Sequence, residues 1–179
     1  TARLADRVYT FYGNIGGLMP FILQSVHNNF TTGLNQMVFA RAEGGALAIE
    51  MVEGEYKHRF TLKEGTFTHA TFTQRGDVFE MRSAVQTELS ETGELSLNIV
   101  AHFIETPFTR LIRVTLTGED TLKVVFDELP SINDASEMLM ELTGITRAQI
   151  VRNVLPLLKQ ERMQHTLRTF TTVTVQGKL

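Results

Sequence analysis

The strongest constraint in this sequence is a run of strict two-residue alternation that continues through most of its middle third. Phe79, Met81, Ser83 and Val85 alternate with Glu80, Arg82 and Gln86; then Leu95, Leu97, Ile99, Ala101 and Phe103 keep the same period, as do Ile112, Val114 and Leu116 and then Leu122, Val124 and Phe126. Successive side chains of an extended strand point to opposite faces, so this period belongs to half-buried β-strands and not to helices. Turn chemistry separates the runs at Arg75-Gly76-Asp77, Thr92-Gly93 and Thr117-Gly118-Glu119-Asp120. Three long neighbouring strands of this kind can bury one face only by curling on themselves or by packing on a second layer.

Shorter runs precede them. Val8, Thr10 and Tyr12 fall on one side of an opening strand and Tyr9 and Phe11 on the other, before Gly13–Gly17 breaks the pattern. Residues 18–33 have no clear period and read as a long or partly helical connection. From residue 36 the runs 36–42, 46–53, 56–62 and 66–73 are separated by Gly44-Gly45, Glu53-Gly54-Glu55 and Glu64-Gly65, where glycine supplies the positive φ of tight reversals. Thr, 23 of the 179 residues, and 12 Phe suit a pleated, half-buried surface.

The period changes after Pro130. Ser131–Leu142 sets Met138, Leu139 and Leu142 on one helical face and ends at Gly144; a second helix opens with the capping pattern Thr146-Arg147-Ala148-Gln149 and meets Pro156. Strand composition returns over Leu167–Val175. The expected fold is therefore mainly β: an antiparallel lipocalin-like barrel or strongly curled sheet of 8–10 strands, with a helical pair near the C-terminus and a final returning strand. One domain is expected over 1–179, with the meander at 4–128, the helical pair at 131–162 and the last strand at 163–176. A start without Met suggests a piece of a longer protein.

The absences narrow function. There is no Cys, hence no disulfide frame, thiolate metal site or Cys nucleophile. Lys and Arg number 17 against 20 Asp and Glu, evenly divided between the halves, so the basic stripe that nucleic-acid binding needs is not there. A local contrast between acidic 119–141 and basic 147–179 reads as compensation within the fold or as a pair of solvated helix faces. Leu18–Leu23 is the longest greasy stretch, far below the ~20 residues of a membrane span. No signal peptide is recognisable. The chain reads as soluble, whether cytoplasmic or exported with its parent.

No G-x-S-x-G, Ser-x-x-Lys, P-loop or dinucleotide fingerprint occurs. The five His residues, 27, 58, 69, 102 and 165, are not clustered; His58 and His69 fall on neighbouring runs and read as strand-surface or barrel-lining residues. Tyr12-Gly13-Asn14 matches a bare Y-x-N but has no Ser-Lys pair to serve, and Asn29-Phe30-Thr31 is a formal sequon that reads as a polar loop. No catalytic, cofactor-binding or metal residue and no cofactor is expected.

The most informative segment is Phe103-Ile104-Glu105-Thr106-Pro107-Phe108. A strand running into Glu-Thr-Pro must stop pairing, because Pro107 lacks an N–H and holds Thr106 extended. Glu105 is thereby set at a strand end, where a structural role, paired with Arg110 or Arg113 or bonded to backbone at the corner, is expected over catalysis.

With Leu4–Phe11, Gly45–Ile49 through His58-Arg59-Phe60, Leu95–Phe108 and the hairpin Leu116–Val124, that segment resembles the C-terminal accessory domain of bacterial serine hydrolases of the β-lactamase-related, penicillin-binding-protein-like family. The resemblance covers residues 4–128 and leaves the helical tail unmatched. It implies a lipocalin-like barrel appended to a catalytic domain whose Ser and Lys lie upstream of Thr1, so no position here inherits a catalytic role. Its implied partners are that catalytic domain and, as an option, a second copy. The alternative is a barrel that encloses a small apolar ligand, its Leu, Ile, Val and Phe lining a cavity instead of filling a core.

Overall fold

The computed structural model describes residues 3–12, 16–20, 23–24, 32–91, 93–130 and 173–179. Among these residues ten strands are formed: β1 (Arg7–Phe11), β2 (Gln36–Arg41), β3 (Leu47–Glu53), β4 (Tyr56–Leu62), β5 (Thr68–Gln74), β6 (Asp77–Leu89), β7 (Leu95–Phe103), β8 (Thr109–Thr117), β9 (Thr121–Leu129) and β10 (Val173–Lys178). They make one sheet in the order β4-β3-β2-β1-β10-β9-β8-β7-β6-β5, antiparallel at every pairing. The returning strand thus slots between β1 and β9, joining the first strand to the long meander.

Because β4 and β5 are consecutive in the chain yet lie at opposite ends of this order, the sheet curls round until its two edges meet. The join is sparse. Thr68 Oγ1 donates to the Thr61 carbonyl and lies 3.2 Å from Ser83 Oγ, and Lys63 and Thr66 form a single bridge. Glu64 accepts from the Thr87 N–H at 2.9 Å and the Thr87 hydroxyl at 2.6 Å, bonds that hold its carboxyl below the ordinary Glu range. Further along, the rings of His58 on β4 and Phe72 on β5 meet across the seam at 4.8 Å. The result is a nearly closed barrel, as the alternation requires.

Alternation sorts the side chains. Leu47, Ile49 and Met51 on β3, Leu95, Leu97, Ile99, Ala101 and Phe103 on β7, Ile112, Val114 and Leu116 on β8 and Leu122, Val124 and Phe126 on β9 are all buried inside. Arg75 (φ 49°) and Gly76 (φ 89°) make the left-handed two-residue turn between β5 and β6.

The antiparallel registers put two kinds of rim on the barrel. At one rim β1, β3, β5, β7 and β9 end and β2 and β10 begin. Gly16, Gly17, Leu18, Met19, Pro20, Leu23 and Gln24 are buried at this rim and act as a cap. The opposite rim carries the short turns 42–46, 63–67, 90–94 and 118–120.

The strand runs expected from sequence are present, with corrections at their ends. β1 stops at Phe11 and leaves Tyr12 85% exposed, β5 begins at Thr68 rather than residue 66, and the last strand continues to Lys178. Glu53, expected where the run 46–53 meets the turn at Gly54, is the buried last residue of β3. The helical pair 131–162, with its Thr146 cap, lies outside the described residues, as do Gly13, Asn14 and Asn29–Thr31. Among the described residues no helix is long and apolar enough to cross a membrane.

Candidate functional site

The interior is apolar towards the short-turn rim and polar under the cap. There the inward positions of five strand ends are Glu53 (β3), His58 (β4), Gln74 (β5), Arg110 (β8) and Glu128 (β9), each 2% exposed or less. The same alternation that places Leu47, Ile49 and Met51 inside places Glu53 inside, and Arg110 and Glu128 continue the inward rows of β8 and β9 in the same way.

Arg110 organises this cluster. Its Nη1 donates to Glu128 Oε2 at 3.0 Å, its Nε donates to the Gly17 carbonyl at 3.0 Å, and its guanidinium lies 5.1 Å from the centre of the Phe126 ring. Burial pushes Arg110 below its ordinary value, while Glu128, Glu53 and Asp127 pull it back. Next to it Glu53 Oε1 accepts the Leu18 N–H at 2.6 Å. Gly17 leaves room for this contact, since a Cβ there would lie 2.5 Å from Glu53 Oε2 and the carboxylate would have to shift. Gln24 Nε2 donates to the Met19 carbonyl at 2.7 Å. Opposite charges of the barrel wall therefore clamp the backbone of the cap: a cation on its carbonyl, a carboxylate on its N–H.

His58 is the exception. It is fully buried, its Nε2 is 4.0 Å from Glu53 Oε2, and neither ring nitrogen has a hydrogen-bond partner among the described residues. Burial lowers its pKa, and Glu53 only partly offsets that, which keeps the ring neutral near pH 7. Although β4 and β5 are adjacent across the seam, His58 faces in and His69 faces out, where its Nε2 is 3.6 Å from Glu80. The two share no ligand, and among the described residues no three metal-ligating side chains gather.

The Phe103–Phe108 segment forms the β7–β8 corner at the cap rim. The Phe103 N–H donates to the Phe108 carbonyl at 3.1 Å, the Thr106 N–H returns to the Phe103 carbonyl at 3.2 Å, and Thr106 Oγ1 accepts the Phe108 N–H at 3.3 Å. Ile104 N–H donates to the Glu80 carbonyl at 3.0 Å, its last tie to β6. Phe103 is buried, Phe108 packs against the core, and Pro107 ends the pairing as expected. Glu105 is exposed and is not paired with either expected arginine, since Arg110 points inward to Glu128 and Arg113 donates through Nε to Asn98 at 2.7 Å. Beside the corner lies an open depression of about 470 Å³ lined by Phe67, Arg82, His102, Phe103, Ile104 and Thr106.

No protein-family model, curated protein or solved structure matches this chain. Sequence reasoning located the corner but missed the clamp. The signal for the clamp was the phase of the alternation, which carries Glu53, Arg110 and Glu128 inward with their apolar neighbours.

Proposed function

We propose that this chain is a non-catalytic accessory barrel of a bacterial β-lactamase-related serine hydrolase, packing on the catalytic domain, shaping access to its cleft or mediating oligomerisation. The observation that carries this reading is the use of the buried charges. Arg110, Glu128 and Glu53 are bonded to one another's surroundings and to the cap backbone, beneath a closed surface, and so hold the fold together where a catalytic group would have to meet a substrate. The segments that carry the resemblance support it as well, since they fall on β1, β3–β4 and β7–β9 of one barrel. Sequencing the gene upstream of the codon for Thr1 tests it: a catalytic domain with Ser-x-x-Lys is expected, and an upstream region without one contradicts the assignment.

A second reading, a barrel that holds a small apolar ligand, is favoured by His58. A buried imidazole whose two nitrogens have no hydrogen-bond partner among the described residues is what a ligand hydroxyl or carbonyl would satisfy. Native mass spectrometry of the purified chain separates the two: a stoichiometric small molecule retained by the chain and released by His58→Phe supports the ligand reading.

A further inference from the structure

The depression beside the β7–β8 corner has a composition that the accessory role does not use. It is built by register on the outer face of β5, β6 and β7, where His69, Arg82 and His102 stand in one row across the three strands. The members of that row differ in what they already bind. His69 faces Glu80 at 3.6 Å. His102 is held by its Nδ1, 2.7 Å from Thr109 Oγ1, which fixes the plane of its ring. Arg82, exposed between them, makes no ion pair and no side-chain hydrogen bond among the described residues.

Apolar groups surround that cation. Phe67 is 57% exposed, and its ring lies 5.8 Å from the His102 ring at an interplanar angle of 37°, so the two form one aromatic wall. Ile104, 44% exposed, lies across from them, and Thr106 closes the corner. The volume, about 470 Å³, is within the range of small-molecule sites. A planar ring stacks on the Phe67–His102 wall, and a carboxylate on a short arm reaches Arg82, whose planar fork suits two carboxylate oxygens.

We propose that this depression is a binding site for a small aryl carboxylate, with Arg82 taking the acid and Phe67, His102 and Ile104 taking the ring. The site is open on one side, so the complex is weak and exchanges rapidly.

The test is a titration of the isotopically labelled chain with 3-phenylpropionate, followed by two-dimensional amide NMR, beside the uncharged 3-phenylpropanamide. Saturable shifts are expected at Ile104, Glu105 and Thr106, with the amide about tenfold weaker because it lacks the charged bond to Arg82. Arg82→Gln should lose about as much for the acid and change nothing for the amide, while Phe67→Ser should weaken both. Both positions are exposed, so the rest of the spectrum should be unchanged in the variants. Shifts that never saturate, equal binding of acid and amide, or undiminished binding by Arg82→Gln overturn the proposal. If Arg82→Gln fails to fold, the acid-against-amide comparison on the unaltered chain decides.

Discussion

Replacing Arg110 with Met tests the clamp where it is most exposed to refutation. The side chain is 1% accessible and bonds Glu128 and the Gly17 carbonyl at 3.0 Å each. Arg110→Met leaves Glu128 in the interior without its cation, removes an attraction on Glu53 and strips the cap carbonyl of its donor. Breaking a buried pair from one side costs about 3–5 kcal/mol. Arg110→Met with Glu128→Leu removes both of these charges; what remains is the unbonded Gly17 carbonyl, about 1–3 kcal/mol, and the lost attraction on Glu53. The double variant should thus be more stable than Arg110→Met alone. For a domain of this size 1 kcal/mol moves the melting midpoint by about 2–4 °C. Urea unfolding followed by far-UV circular dichroism measures it without relying on Trp, which the chain lacks. An Arg110→Met loss below about 1 kcal/mol, or a double variant whose loss equals the sum of the singles, refutes the clamp.

Stability should also fall in mild acid through His58. Its pKa in the folded chain lies below the unfolded value of about 6.5, so the unfolded chain takes up the proton first. Above about pH 6.5 the residue contributes no pH dependence; below it stability declines by up to about 1.4 kcal/mol per pH unit until the folded pKa is reached. His58→Phe should flatten that part of the curve when urea midpoints are compared at pH 7, 6 and 5, and an unchanged slope would rule the assignment out. At Gly177 an added Cβ would lie 2.7 Å from the Phe11 ring, so Gly177→Ala should cost about 1–3 kcal/mol, with part restored by Phe11→Leu. Equal penalties in both backgrounds would show that the ring is not the obstacle.

The fold was largely legible because strand alternation is a local property: Leu95–Phe103 and Leu122–Phe126 announce their faces without reference to any partner. Closure was not local. That β10 lies between β1 and β9, and that β4 meets β5 across a sparse seam, depends on pairings between residues far apart in sequence. The clamp was hidden for a different reason. Glu53 stands beside Gly54 and Arg110 beside a Pro-containing corner, contexts in which charge ordinarily means a solvated turn. Only their phase with the apolar rows distinguishes them, and phase at a strand end is decided by whether the strand extends one residue further. The expected partnership of Glu105 with Arg110 failed on that point: Arg110 is inside the barrel and Glu105 is outside it.

Intact-mass spectrometry of the chain after incubation with a fluorophosphonate and with a penicillin tests the accessory assignment most directly. An unchanged mass with either reagent is expected under the proposed assignment, in which the buried charged groups serve the cap and the nucleophile would belong to a separate domain. A stoichiometric covalent adduct mapped to a residue of this chain would contradict it.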